Sequence, residues 1–257
     1  MGLIPRKLTS PFQTVLITGA AGGIGRELSL VYADPGVHLF LGDTNADRLE
    51  EVTWSCRDRG AEAHGTPVDV THRQAMAEWI LGADAQRPLD LVISLAGISK
   101  GTVRREETVE DIRAVLAVNL EGMLNTLEPI LPRFRERRKG QIGLTSSYAG
   151  FRGFPVAPSY CATKAAIRVY GEGLRARLSR DGVGVSVIIP GFVKTSMTDS
   201  NPYFMPFRIS ANRAAAIIKR GLAKNKPRIR FPRPIPGIVY FLSILPPTWI
   251  DRFVTLK

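Results

Sequence analysis

Apolar positions along the chain fall into two alternating patterns. Short β-branched runs at Gln13–Thr18, Val37–Leu41, Leu89–Leu95, Gln141–Ser146 and Val185–Ile189 predict strands, and Glu62–Pro67 predicts a further one. Most are nearly continuous in apolar character, which suits parallel strands buried on both faces. Between them the period lengthens, predicting helices over Gly23–Asp34, Ala46–Arg59, Thr71–Leu81, Thr108–Phe134 and Ser159–Arg180. Asn45 can cap the second helix, Thr108–Asp111 has capping-box spacing, and the Asp181–Gly182 turn closes the last. Alternation of this kind predicts an α/β fold: an open, doubly wound parallel sheet with helices on both faces. A length of 257 residues suits a single domain over the whole of 1–257 better than two.

The first strand runs into a glycine-rich turn and then a helix start, with Gly19, Gly23 and Gly25 spaced GxxxGxG. Glycines there let the backbone bend sharply and approach a pyrophosphate, and the helix N-terminus offers that anion free N–H groups. The arrangement predicts a Rossmann-type dinucleotide site. Asp43 ends the second strand, 18 residues past Gly25, where a carboxylate can accept hydrogen bonds from the adenosine ribose. It would repel a 2′-phosphate. No Lys or Arg at 20–22 or 44 counters it, so NAD is favoured over NADP, with Arg48 one turn further on. Asp69, after the third strand, is a candidate contact to the adenine or else a turn carboxylate.

The candidate chemistry lies in the second half. Tyr160 and Lys164 are spaced i, i+4 and share one helix face. A nearby ammonium favours the phenolate, which makes the tyrosine a usable base for alcohol oxidation and, protonated, an acid for carbonyl reduction. Ser147 lies at the end of the fifth strand, at the carboxyl edge of the sheet, with a hydroxyl that can hold a substrate oxygen.

Taken together, Thr18-Gly-Ala-Ala-Gly-Gly-Ile-Gly25, Ser147 with Tyr160-Cys-Ala-Thr-Lys164, and Pro190-Gly191 with Thr195 resemble the short-chain dehydrogenase/reductase family, over about Gln13 to Thr198. The resemblance implies a nicotinamide-dependent oxidoreductase with a catalytic set of Ser147, Tyr160, Lys164 and Asn119. It implies that Asn119 distorts its helix and anchors a water in a proton relay to the lysine. It further implies cofactor contacts from Thr18, Gly19, Gly23, Ile24, Gly25, Asp43, Asp69, Ala96, Gly97, Tyr160, Lys164, Pro190, Gly191 and Thr195, and assembly as a homodimer or homotetramer through the Thr108–Phe134 and Ser159–Arg180 helices. One departure is Ser94-Leu-Ala-Gly97, where the family has Asn-Asn-Ala-Gly. Ser94 supplies one hydroxyl where an amide normally ties strands together, which puts local stability in doubt more than chemistry.

A segment at about 195–210 sits where the family has its substrate lid. Tyr203, Phe204, Met205 and Phe207 would line it, and Phe151, Phe154 and Val156 would form the opposite wall. An apolar or lipid-like alcohol or ketone suits such a pocket; the plainer alternative is that these aromatics pack the lid onto the core.

Charge is concentrated at the end of the chain. The net charge is +12, and residues 207–257 carry eleven Lys or Arg against one acid, Asp251. The extension at about 224–257 places Lys224, Lys226, Arg228, Arg230 and Arg233 before the apolar run Ile235–Leu245 and Trp249. Two readings stand: contact with an anionic membrane surface, or a helix at a subunit interface with a solvated basic strip. Nucleic-acid binding is not expected, since no stacking platform accompanies the charges.

Cys56 and Cys161 lack CxxC spacing, and three scattered histidines lack metal-ligand spacing, so no metal is expected. With no apolar signal core in Met1–Pro11, the expected location is cytoplasmic, with or without a peripheral membrane contact. The alternative function is a catalytically silent NAD(H)-binding sensor or membrane-associated scaffold on the same fold, against which the complete Ser–Tyr–Lys set argues.

Overall fold

The structure is a computed structural model that describes residues 11–101, 105–195 and 207–232, with 198, 205, 237, 239, 241, 243, 245, 246 and 248. Its centre is a parallel sheet of strands β1 (Thr14–Thr18), β2 (His38–Asp43), β3 (Glu62–Pro67), β4 (Leu91–Ser94), β5 (Gly140–Thr145), β6 (Val183–Pro190) and β9 (Arg228–Phe231), in the order β3-β2-β1-β4-β5-β6-β9. Two more short strands, β7 (Val193–Lys194) and β8 (Ile209–Ser210), pair with each other. The helices are α1 (Gly23–Tyr32), α2 (Ala46–Asp58), α3 (Arg73–Gln86), α4 (Val109–Leu116), α5 (Gly122–Leu127), α6 (Leu131–Arg137), α7 (Pro158–Leu178) and α8 (Ala211–Ala223).

Alternation along the strands divides the core in two. Val15, Ile17, Leu39, Leu41 and Ile93 meet Leu28 of α1, Val52 of α2 and Ile218 of α8 on one face. Leu16, Phe40, Val92, Ile142 and Leu144 meet Ile80 of α3, Leu127 of α5 and Ile167 of α7 on the other. Because both faces are covered, the middle strands are buried along almost their whole length and mostly apolar, with Thr14, Thr18, Ser94, Gln141 and Ser186 as buried polar exceptions, and this is why they read as nearly continuous runs.

Three features differ from the sequence expectation. The expected long helix over Thr108–Phe134 is broken. Thr108 does close a capping box with Asp111, but Ala117–Glu121 winds as a π-helix and the chain stops being helical after α5. Pro132, in the first turn of α6, cannot donate to the preceding turn and marks the restart. Helix α8 was not expected; its buried Ala214, Ala215, Ile218 and Leu222 form a helical stripe that small alanines make faint. Strand β9 was not expected either: the first part of the extension at about 224–257 enters the sheet. Val187–Pro190 pairs in register with Arg228–Phe231, with Ile229 and Phe231 buried and both arginines exposed.

At the end opposite the glycine turn, Arg137 grips Asp84 through two hydrogen bonds of 2.8 Å each, and Asp84 also accepts from Leu89 N at 2.9 Å. This joins α3, α6 and the entry to β4. Asp84 is buried and Arg137 half-buried. Asp84→Ala should therefore lower the unfolding free energy by ~2–3 kcal/mol, below the full cost of breaking a buried pair because water still reaches the arginine. Urea unfolding checks this; a loss under ~0.5 kcal/mol, the scale of a surface substitution, would contradict it.

Candidate active site

Four strand ends meet at one edge of the sheet. β1 runs into the glycine turn, β4 into Leu95–Gly97, β5 into Ser146 and Ser147, and β6 into Gly191. Together they border a cleft of about 490 Å³. Of the residues singled out by sequence, Gly19, Gly23, Ile24, Gly25, Asp43, Asp69, Ala96, Gly97, Ser147, Tyr160, Lys164, Pro190, Gly191 and Thr195 border it, whereas Thr18 and Asn119 do not.

The glycine turn is held close on two sides. Gly19 has a φ of +70°, and a Cβ on it would lie 2.9 Å from the backbone of Ala96. A Cβ on Gly25 would lie 2.0 Å from the Gly19 carbonyl oxygen. Any side chain at these positions would push the turn off the sheet, so the glycines leave open the backbone cradle that a pyrophosphate would need. The residues present thus fit a dinucleotide.

Thr18 serves this cradle from behind. It is fully buried, and its hydroxyl accepts from Leu95 N at 3.1 Å and Ala96 N at 3.3 Å. Its hydroxyl faces the β4 loop, and its side chain does not border the cleft. It also ties β1 to the loop after β4, the kind of tie for which the family's Asn is missing at Ser94.

Asp43 sits at the far end of the cleft. Its carboxylate accepts from Ala21 N and from Asn45 N, each at 3.0 Å. The side chain is thereby fixed between the glycine turn and the start of α2. Asp69 accepts twice from Thr71, through N and Oγ1, each at 2.8 Å. Burial pushes its carboxyl up, but these two bonds and the nearby His72 outweigh that and leave it below its usual value.

At the chemical end, α7 carries Tyr160 and Lys164. Lys164 is buried, its Nζ donates to the Thr145 carbonyl at 2.9 Å, and it stands 5.5 Å from the centroid of the Tyr160 ring. Burial brings its pKa down to about 8. Ser147 Oγ accepts from Ala149 N at 3.1 Å, so its hydroxyl proton can point to a bound oxygen.

Asn119 lies in the π-turn and is buried. Its Oδ1 accepts from Ile98 N at 2.8 Å, while Nδ2 donates to the Ile98 carbonyl and to Thr163 Oγ1, both at 3.0 Å. The amide thus clamps the loop after β4 to α7. The helix distortion implied by resemblance is present, and the side chain works as a strut.

Two residues that matter to the site had no sequence signal. Ser146 Oγ donates to the Lys164 carbonyl at 2.6 Å, fixing α7 to the end of β5. Glu107 accepts from Ser159 N at 3.1 Å and Ser159 Oγ at 2.7 Å, holding the first turn of α7 beside Tyr160. Neither lies in a motif; only the packing of distant segments makes them visible.

The substrate walls are partly described. Val193–Lys194 and Ile209–Ser210 pair and pin the base of the expected lid. Tyr203 and Phe204 fall outside the described residues, as do Arg233 and Trp249. Phe151 is not a cleft wall: it packs beside Tyr148 and under the Arg168 guanidinium, 4.6 Å from its ring centroid. Phe154 and Val156 are half-buried and also lie off the cleft.

Comparison with known proteins agrees with this geometry. A family model described as short chain dehydrogenase matches residues 13–203. An uncharacterized oxidoreductase of Myxococcus xanthus is 32% identical over 93% of this chain and 95% of its own. The 3-oxoacyl-(acyl-carrier-protein) reductase FabG of Thermotoga maritima is 29% identical over 74% of this chain and 78% of its own. Among solved structures, a 3-oxoacyl-(acyl-carrier protein) reductase from Brucella melitensis superposes with a TM-score of 0.72 at 26% identity, covering 85% of this chain and 88% of that one. A short chain dehydrogenase from Mycobacterium paratuberculosis, bound to NAD, has the same fold, with a TM-score of 0.73 at 24% identity, covering 82% and 90%. The chain belongs to the short-chain dehydrogenase family and is an oxidoreductase of that family.

Burial of Lys164 has a consequence for stability. Its folded pKa of about 8 lies below the ordinary 10.5, so between those values the unfolded chain binds more protons and stability rises with pH. The wild-type minus Lys164→Met difference in unfolding free energy of the cofactor-free protein should therefore rise from about pH 8 to about 10.5. Parallel curves in urea titrations would show that the amine is not held in that environment.

Proposed function

We propose that the protein transfers hydride between NAD(H) and an alcohol or carbonyl substrate of apolar or lipid-like character. The observation that carries this reading is the convergence of Ser147, Tyr160 and Lys164 on the same cleft as the glycine cradle and Asp43. When bound, the nicotinamide supplies the hydride acceptor or donor; the residues of this chain handle the proton.

Ser147 donates its hydroxyl proton to the substrate oxygen, a proton left free by the bond its oxygen accepts from Ala149 N. Tyr160 takes the alcohol proton in oxidation and returns one in reduction. Lys164 holds positive charge beside the tyrosine and so favours the phenolate. With its pKa near 8 it also exchanges protons close to neutral pH. Asn119, Ser146 and Glu107 hold these groups in place without touching a reacting atom. Asp43 accepts from the adenosine ribose hydroxyls and disfavours a 2′-phosphate, which supports NAD over NADP.

An assembly goes with this reading. Val109, Leu116 and Leu124 on α4 and α5, and Val169 and Tyr170 on α7, are exposed apolar side chains. They support a homodimer or homotetramer through these helices. Sedimentation equilibrium should give one of those masses, and a monomer at micromolar concentration would contradict it.

Activity is tested with a panel of hydrophobic alcohols and ketones. Tyr160→Phe should lower kcat by at least ~10²-fold while NADH affinity stays within about twofold. In the same fluorescence titration NADH should bind more tightly than NADPH, and Asp43→Ser should narrow the gap. A Tyr160→Phe variant that turns over any accepted substrate at near wild-type rate would overturn the assignment.

A further inference from the structure

Exposed basic side chains flank and line the last strand of the sheet, and an exposed aromatic one follows it in the chain. Lys224, Lys226, Arg228 and Arg230 are all exposed. The two lysines follow α8, and the arginines are the outward positions of β9, the last strand of the sheet. Arg228 pairs with Glu172 at 2.9 Å, but Lys224, Lys226 and Arg230 form no ion pair with any described residue. Residues 207–257 hold eleven Lys or Arg against Asp251 alone. Lys219 and Arg228 are paired with Asp34 and Glu172, but the remaining excess suits an anionic partner.

Two described residues beyond the strand touch the rest of the protein. Val239 packs against Tyr148, Val187 and Ile189. Arg152, in the loop after Ser147, donates to the Leu245 carbonyl at 3.1 Å. Between these two residues in the chain, Phe241 is 58% exposed, a large apolar ring open to solvent. In sequence, Ile235–Leu245 is almost wholly apolar and much shorter than a membrane span. Among the described residues no helix is long and apolar enough to cross a membrane.

We propose that this C-terminal face docks on an anionic bilayer surface, with the Lys224–Arg230 strip on the headgroups and Phe241 inserted at their boundary with the acyl chains. Charge attracts and the ring holds, the two contributions a peripheral contact needs. The strip itself, Lys224 to Arg230, contains no aromatic residue on which a base could stack, which disfavours a nucleic acid. Docking there sets the loop after Ser147 close to the lipid.

The test is flotation of the full chain with vesicles of phosphatidylcholine alone or of phosphatidylcholine and phosphatidylglycerol in equal parts. The wild type should float only with the anionic vesicles and be released by high salt. Lys224→Ser with Lys226→Ser should weaken binding about fivefold per charge removed. Phe241→Ser should weaken it about tenfold. Phe241 is exposed, so this variant should fold, and retained NADH binding confirms that. Absence of anionic-vesicle binding by the wild type overturns the proposal. So does binding that is indifferent to Phe241→Ser and fully competed by duplex DNA, which would make the face a general polyanion site. Turnover does not enter the measurement, so a negative result here leaves the oxidoreductase reading untouched.

Discussion

The site depends on the reversal of strand order at the centre of the sheet. From β1 the chain builds outward through β2 and β3, then returns to place β4 on the other side of β1. Parallel strands connect through crossover helices of one hand, so the helices lie on opposite faces either side of that reversal. A crevice opens above the carboxyl ends of β1 and β4. The glycine turn, the Gly97 loop, Ser147 and Pro190–Gly191 all border it because each follows a strand that ends at that edge.

A crevice is only a space; its chemistry comes from how stiffly it is lined. Thr18 holds the β4 loop, Asn119 holds the same loop to α7, and Ser146 holds α7 to β5. Glu107 secures the turn that precedes Tyr160. These bonds link segments from 18 to 78 residues apart, and the site retains one geometry because all of them hold at once. They also allow Lys164 to be buried, with the Thr145 carbonyl as a polar partner. An amine in that position loses part of its preference for the charged form, which brings its proton exchange towards neutral pH.

Much of this was legible in sequence, for identifiable reasons. The middle strands announce themselves because burial on both faces leaves few polar positions in them. The glycine turn, Tyr160 and Lys164 are readable because their chemistry demands particular residue types at fixed local spacings. Ser146 and Glu107 were not readable, since a serine and a glutamate gain a role only from partners distant in the chain. The hydroxyl tie from Thr18 to the β4 loop was not readable either, since its partners lie 77 and 78 residues away. The charges at Arg228 and Arg230 hid a strand: an edge strand can carry exposed arginines and keep Ile229 and Phe231 inside. Alanine hid α8, whose packing stripe is real but weakly hydrophobic.

The central claim is that one cleft holds a nicotinamide dinucleotide with its reactive end at Tyr160. A crystal structure with NADH bound tests it most directly. The account predicts the adenosine ribose at Asp43, the pyrophosphate over the N-terminus of α1, and the nicotinamide between Gly191 and Tyr160 with Lys164 on its ribose. A dinucleotide bound in the reverse direction, or outside the cleft, would contradict it.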